Sequence, residues 1–334
     1  MRDPSRGVET VALLVTRACQ LDCVYCRFRR DKPAMDDALL RRCADLALET
    51  ESDECALVFL GGEPLLRLDK VLETMDYAAS RRAREFPRKR LSFSVTTNGL
   101  LLDDAALDAL AARGASIQLS LDGSRQEAQR PLKAAGKAYP TAALDAAFER
   151  LVRREVPFAV HSVISPDGVG ALFDDALGFL ERGAPQVHFQ YRVGVEWTRE
   201  AGLAYADAIA RVAGEARRRG LPLAAKELMD SNEPAIVSES VTVDVDGLAY
   251  LGCTVPAMED ILPALKQTNL LGDARRLSLR ELSAAAPGAA ERAVAAHRGD
   301  DARGRIVASN LAMGKICLDA EAALRRKFPR GAAV

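Results

Sequence analysis

Short apolar, β-rich runs alternate in the N-terminal part of this chain with segments whose apolar residues recur at helical spacing. No other feature of the sequence constrains its fold as tightly. Six runs read as strands: Val8 to Val15, Ala56 to Leu60, Leu91 to Thr96, Ser116 to Leu121, Phe158 to Ile164 and Val187 to Tyr191. Between them Leu39, Leu40, Cys43, Leu46 and Ala47 form one helical stripe. Leu68, Val71, Leu72 and Met75 form a second, and Leu144, Ala147, Phe148, Leu151 and Val152 another. Such alternation specifies an α/β fold around a parallel sheet. Right-handed crossovers then curl six units into a partial (β/α)6 TIM-like barrel, with its chemistry at the C-terminal strand ends.

Beyond a helical pattern around Ala201 to Arg219 the sequence changes character. Val241 to Leu251 reads as a hairpin around the Asp246-Gly247 turn. Weak alanine-rich helices follow, around Ser278 to Ala286 and Ala289 to His297, and then a segment near Cys317 to Phe328. The expected division is a barrel core over residues 1–197, a connecting helix over 198–229 and a smaller α+β module over 230–334.

Chemistry concentrates in Cys19-Gln-Leu-Asp-Cys23-Val-Tyr-Cys26. Iron–sulfur clusters are normally held by four cysteines. Three here, with no histidine before His161, supply three thiolates to a four-iron cluster and leave one iron open. Structural zinc would need a second cysteine or histidine pair within reach. The next cysteine, Cys43, falls in a helical stripe. Seven cysteines is an odd count, and residues 1–10 have no secretory apolar run, which points to reduced thiols in the cytoplasm.

The formal charge of −1 argues against a general nucleic-acid surface, and no membrane segment appears. Arg81, Arg82, Arg84, Arg88, Lys89 and Arg90 read as a solvated helix end. Arg27, Arg29 and Arg30, directly after the cysteines, are placed to steer an acidic substrate or an acidic flavodoxin-like or ferredoxin-like electron donor.

Three more motifs fall at strand ends: Gly61-Gly62-Glu63-Pro64, Thr96-Thr97-Asn98-Gly99 and Ser120-Leu121-Asp122-Gly123. Read singly, each is turn chemistry. Together with the cysteines they resemble the peptide-modifying branch of the radical S-adenosylmethionine (SAM) enzymes. That branch includes anaerobic sulfatase-maturing enzymes and ribosomal-peptide maturases, many with a C-terminal SPASM domain. The resemblance covers residues 8 to about 192. It implies one [4Fe-4S] cluster on Cys19, Cys23 and Cys26, and cleavage of SAM to a 5'-deoxyadenosyl radical. Gly61, Gly62 and Glu63 would take the methionine amino group, and Tyr25 would pack near the adenine. Thr97, Asn98 and Ser120 would lie near the ribose. Arg130 would pair with the methionine carboxylate, ordinary surface charge being its alternative.

His188 and Gln190 share one face of the sixth strand and line the substrate side, as His161 and Ser162 could on the fifth; a hydrogen-bonded core role is the alternative. A SPASM domain would carry many more cysteines than the two, Cys253 and Cys317, found after residue 230. The module therefore resembles a SPASM scaffold without auxiliary clusters, and a redox-neutral reaction follows as an expectation. Cys253 or Cys317 would be the thiol that returns hydrogen in an epimerisation, or else a buried packing residue. The expected substrate is a peptide or protein side chain, reached directly or through a separate leader-recognition protein. The alternatives are a small metabolite such as a sugar or amino acid, and a SAM- or cluster-binding protein without turnover.

Overall fold

The structure is a computed structural model that describes residues 10–28, 34–134, 137–221, 240–278, 289–299 and 301–327. Val8, Arg29, Arg30, Gly136, the boundary expected at residue 230 and most of the helix expected near 278–286 lie outside these residues.

All six expected strands form. β1 (Thr10–Thr16), β2 (Glu54–Gly61), β3 (Arg90–Thr97), β4 (Ser116–Ser120), β5 (Phe158–Ile164) and β6 (Val187–Tyr191) stand side by side in chain order, each parallel to the next. The helices between them are α1 (Asp37–Leu48), α2 (Leu68–Glu85), α3 (Asp104–Ala111), the short α4 (Gln126–Gln129), α5 (Thr141–Arg153) and α6 (Leu172–Glu181). After β6 comes α7 (Arg199–Arg219). The sheet does not close, so the architecture is the open partial barrel expected from the alternation.

Local chemistry sets the boundaries. Asp36 caps α1 by accepting from the Leu39 N–H at 2.7 Å. Thr198 caps α7 in the same way, and Gly220 ends it in the left-handed conformation, φ +67°. The stripe Leu39, Leu40, Cys43, Leu46 and Ala47 is fully sealed, and Phe148 of α5 meets Phe158 of β5 edge-on at 5.7 Å.

The two faces of the sheet differ. Leu57, Phe59, Val95, Ile117, Leu119, Val160 and Phe189 are buried in the core shared with the helices. Their neighbours on the other face, Val58, Thr96, Gln118, His161, His188 and Gln190, are only half-buried and line the lumen.

The C-terminal hairpin forms as expected, β7 (Val241–Val243) and β8 (Leu248–Leu251), with Gly247 at φ +92° in the turn. It extends the barrel sheet. β7 pairs in parallel with β1, Val11 opposite Val241 and Leu13 opposite Val243. Beyond it β9 (Leu270–Asp273) adds to β8 after the short α8 (Pro263–Thr268). Two helices follow, α9 (Ala289–Ala296) and α10 (Asp301–Lys327). α10 is far longer than the segment expected near Cys317 to Phe328. Its apolar residues serve two cores, Val307 one and Met313, Cys317 and Leu324 the other, so no single stripe marks it.

Candidate active site

β1 ends in a bulge. Leu14 pairs with Leu60 and Thr16 with Gly61, leaving Val15 as the extra residue. The cysteine loop starts three residues on. Its outer arm is pinned by backbone bonds to the stretch before α5: Asp22 N–H donates to Pro131 O at 2.7 Å, Val24 N–H to Gln129 O at 2.9 Å, and Lys133 N–H to Gln20 O at 3.0 Å. Cys19 Sγ accepts from the Leu21 N–H at 3.4 Å and from Asn98 Nδ2 at 3.7 Å. Cys26 N–H donates to Cys23 O at 3.0 Å. Burial pushes the Cys23 thiol up to about 11; Arg130 pulls against that, and Cys26 and Cys19 add to the rise. Cys23 thus lies near enough to both Cys19 and Cys26 to feel their charge.

The Gly-Gly-Glu-Pro turn packs directly on this loop's first residues. A Cβ on Gly61, at φ +136°, would stand 2.4 Å from Thr16 O, and one on Gly62 2.1 Å from Ala18 O. Only glycine permits that approach. Gly62 N–H donates to Thr16 O at 2.7 Å and Glu63 N–H to Ala18 O at 2.8 Å. The Glu63 carboxylate is fully sealed from solvent. Its Oε1 accepts from Leu65 N–H at 3.1 Å and Thr97 Oγ1 at 2.8 Å, and its Oε2 from Asn98 N–H at 2.8 Å. Burial lifts Glu63 to about 7, against the pull of these bonds. An acid ringed by neutral donors is suited to a cation that arrives with a ligand.

Asn98 spans the site, with Nδ2 reaching Gln20 Oε1 at 3.2 Å as well as Cys19. Ser120, buried at the end of β4, shares a row with His161 and His188 on the next two strands. Gln190 lies one step further along the lumen face, its Nε2 donating to Tyr191 O at 3.3 Å. Ser162, by contrast, points to the helical face and donates to Leu121 O.

Arg130 is not a surface charge, and it differs from expectation in its partner. Its Nε and Nη2 donate to Asp122 Oδ2 at 2.8 Å and Oδ1 at 3.1 Å, both side chains buried. Asp122 also accepts from Tyr25 Oη at 2.7 Å and from the Val163 N–H at 3.0 Å. The guanidinium lies over the Tyr25 ring, 5.3 Å from its centre. Burial raises Tyr25 well above the usual phenol range. The fork expected for a ligand carboxylate is thus engaged by a carboxylate of the chain. Asp122 was hidden in the sequence because Asp-Gly spells a turn; its spacing of eight from Arg130 was the available signal.

Neither C-terminal cysteine stands at the strand ends that carry this site. Cys253 follows Gly252, whose N–H donates to Ser240 O at 2.7 Å, at the start of β7 and beside the start of β1. The cysteine loop leaves the other end of β1, about 20 Å away at 3.3 Å per residue. Cys317 is buried in the core on α10, and burial pushes its thiol up to about 12. Its neighbours Met313 and Ile316 pack against Gly202 of α7. Strand register thus sets Cys253 at the far end of β1 from the cysteine loop, and core packing encloses Cys317, so neither is carried forward as the hydrogen-returning thiol.

The fold and the site together define a cofactor-binding α/β barrel with a three-cysteine loop at its mouth. Residues 13–167 match the model of the radical SAM superfamily, and the chain carries a radical SAM domain. It is 31% identical over 140 residues to a probable GTP 3',8-cyclase of Methanopyrus kandleri, covering 40% of each chain. It is 31% identical over 124 residues to the mycofactocin maturase MftC of Mycobacterium ulcerans, covering 36% of this chain and 31% of the relative. To the serine-type anaerobic sulfatase-maturating enzyme of Klebsiella aerogenes it is 29% identical over 184 residues, covering 52% and 44%. The chain thus spans less than half the length of these relatives. Among solved structures, native anSMEcpe with bound AdoMet and the Kp18Cys peptide superposes with a TM-score of 0.66 over 82% of this chain and 79% of that one, at 17% identity, which shows a shared fold.

The family implies a [4Fe-4S] cluster and SAM, and the residues present fit both. Three thiols on one loop, with Cys23 close to the other two, suit the cluster, and the sealed, uncompensated Glu63 suits an ammonium group.

Proposed function

We propose that this protein is a radical SAM enzyme that abstracts hydrogen from a peptide or protein side chain. The sealed Glu63 carboxylate, braced on the backbone of the three-cysteine loop, carries this reading. Cys19, Cys23 and Cys26 would hold the cluster. When bound, cluster and SAM supply a 5'-deoxyadenosyl radical for hydrogen abstraction. The chain's own groups bind and orient. Gly61 and Gly62 let the backbone come close, Glu63 receives the ammonium group, and Thr97 and Asn98 hold Glu63 in place. Ser120 lies at the ribose side, Tyr25 closes the adenine side, and Arg130, braced by Asp122, presents its remaining N–H groups toward the methionine carboxylate. His188 and Gln190 face the substrate from the lumen.

The maturase and sulfatase-maturating relatives support a peptide or protein substrate. The cyclase relative, of similar identity, favours a small metabolite as the second reading. Residues 230–334 hold only two cysteines, which supports a redox-neutral outcome without an auxiliary cluster. A flavodoxin-like or ferredoxin-like protein supplies the electron near Arg27, and a separate protein recognises any leader. The division into residues 1–197, 198–229 and 230–334 stays part of this proposal, although β7 to β9 share the barrel's sheet. No helix among the described residues is long and apolar enough to cross a membrane; the odd cysteine count supports a cytoplasmic setting as part of this reading.

The test is anaerobic reconstitution followed by reduction with SAM present. Wild type should hold one four-iron cluster and release 5'-deoxyadenosine and methionine. The triple variant Cys19→Ala, Cys23→Ala, Cys26→Ala should do neither; four irons retained in it would overturn the reading.

A further inference from the structure

The C-terminal hairpin reaches the approach to the cysteine loop through Arg17, which meets two of its carboxylates: that of the buried Asp244, and that of the exposed Asp246, whose Oδ2 lies 3.8 Å from Nη2. Arg17, two residues before Cys19, extends across the β1–β7 seam. Its Nε donates to Asp244 Oδ1 at 2.9 Å and its Nη2 to Oδ2. The two side chains are 7% and 1% exposed. The hairpin fixes the carboxylate in turn. Asp244 Oδ1 accepts from the Val245 N–H at 2.7 Å, while the Asp244 N–H donates to Leu248 O at 2.9 Å and its carbonyl accepts from Gly247 N–H at 2.9 Å.

The segment Thr16 to Ala18 is therefore gripped from both sides. Gly62 and Glu63 bond its carbonyls on one side, and Asp244 holds its one long side chain on the other. Sealing two charges costs solvation, and a well-packed apolar pair would join two strands at least as firmly. A forked arginine–carboxylate pair differs in what it fixes, because two parallel bonds admit one orientation. Here that orientation is that of the chain entering the cysteine loop.

We propose that Asp244 is a positioning residue for the cysteine loop: acting through Arg17, it sets where Cys19 begins, and this is what a C-terminal module poor in cysteines contributes to the site. The inference rests on the reading of that loop as a cluster ligand.

The full chain, reconstituted anaerobically, provides the test. Asp244→Asn keeps the side chain's shape and removes its charge; Val243→Ala weakens the same hairpin without touching Arg17. The readouts are far-UV circular dichroism, thermal midpoint, the rate of iron loss to an anaerobic chelator, and the electron paramagnetic resonance spectrum of the reduced cluster. Asp244→Asn should lose iron at least tenfold faster than wild type and show an altered spectrum. Val243→Ala should lower the midpoint while both cluster readouts stay as in wild type. Should Asp244→Asn fail to fold, Arg17→Lys carries the comparison, because it retains the charge and gives up the fork. Its iron loss must still exceed that of Val243→Ala. A wild type that holds four irons, with the Asp244→Asn or Arg17→Lys cluster behaving like that of Val243→Ala, overturns this inference alone. A wild type that takes up no iron overturns the functional reading and this inference with it.

Discussion

Glu63→Gln isolates the charge on which SAM recognition is proposed to depend. The carboxylate has no exposure and only neutral hydrogen-bond donors, Leu65 N–H, Thr97 Oγ1 and Asn98 N–H, so an ammonium group would be its first cationic partner. Losing a charge-assisted hydrogen bond is worth about 1.5–3 kcal/mol, which weakens SAM binding roughly 10- to 150-fold. The pH dependence sharpens the test. Glu63 lies at about 7, so below that pH it is increasingly protonated and offers no charge. A ligand α-amino group loses its own proton at about 8. Wild-type affinity should therefore peak between these values and fall on the acid side, while the variant should lose the acid limb and keep the alkaline one. Isothermal titration on the anaerobically reconstituted protein from pH 6 to 9, with iron measured in parallel, reads both. An acid limb that persists in Glu63→Gln, or an unchanged affinity at pH 7.5, would refute the assignment; iron content should stay near wild type throughout.

Other outcomes follow from the same geometry. Because burial raises Glu63 from its usual 4.5 to about 7, ligand-free stability should be highest below pH 4.5 as far as this group is concerned, and should decline as pH rises through 7. The shift corresponds to at most about 3 kcal/mol, readable as a wild-type denaturation midpoint that falls between pH 5.5 and 8 relative to Glu63→Gln. Gly62→Ala should fail to retain iron, since its Cβ would meet Ala18 O at 2.1 Å; normal iron incorporation would contradict the packing described. Asp122→Ala strands the buried Arg130 and should cost about 3–5 kcal/mol in urea denaturation, whereas a surface-like loss below 1 kcal/mol would deny the network. Cys253→Ala and Cys317→Ala should leave both iron content and SAM cleavage at wild-type levels.

The barrel was legible because its signals are local. Phe158–Ile164 and Val187–Tyr191 form with the bounds their β-rich runs set out, and α1 buries the same five residues its spacing marks. The cysteine loop and the Gly-Gly-Glu turn were legible as chemistry, since glycine and thiol are expensive to place without a use. What could not be read was long-range. Nothing near Val241 says that its strand pairs with Val11, and nothing near Arg17 names Asp244, 227 residues away. The placement of Cys253 and Cys317 was hidden for the same reason: a thiol's residue type announces reactivity, while strand register and core packing decide whether it can be reached.

The unlike faces of the sheet separate two demands that most enzymes must satisfy with the same residues. Substitutions at Leu57, Val95, Ile117, Leu119 or Phe189 would disturb the core shared with the helices. Val58, Thr96, Gln118, His161, His188 and Gln190 project into the lumen and are only half-buried, so a change of size or polarity there leaves the core shared with the helices in place. A lineage could exchange one substrate for another by drifting along the inner row alone, leaving the cysteine loop and its braces untouched. A saturation library confined to those inner positions would be the economical way to retarget this scaffold.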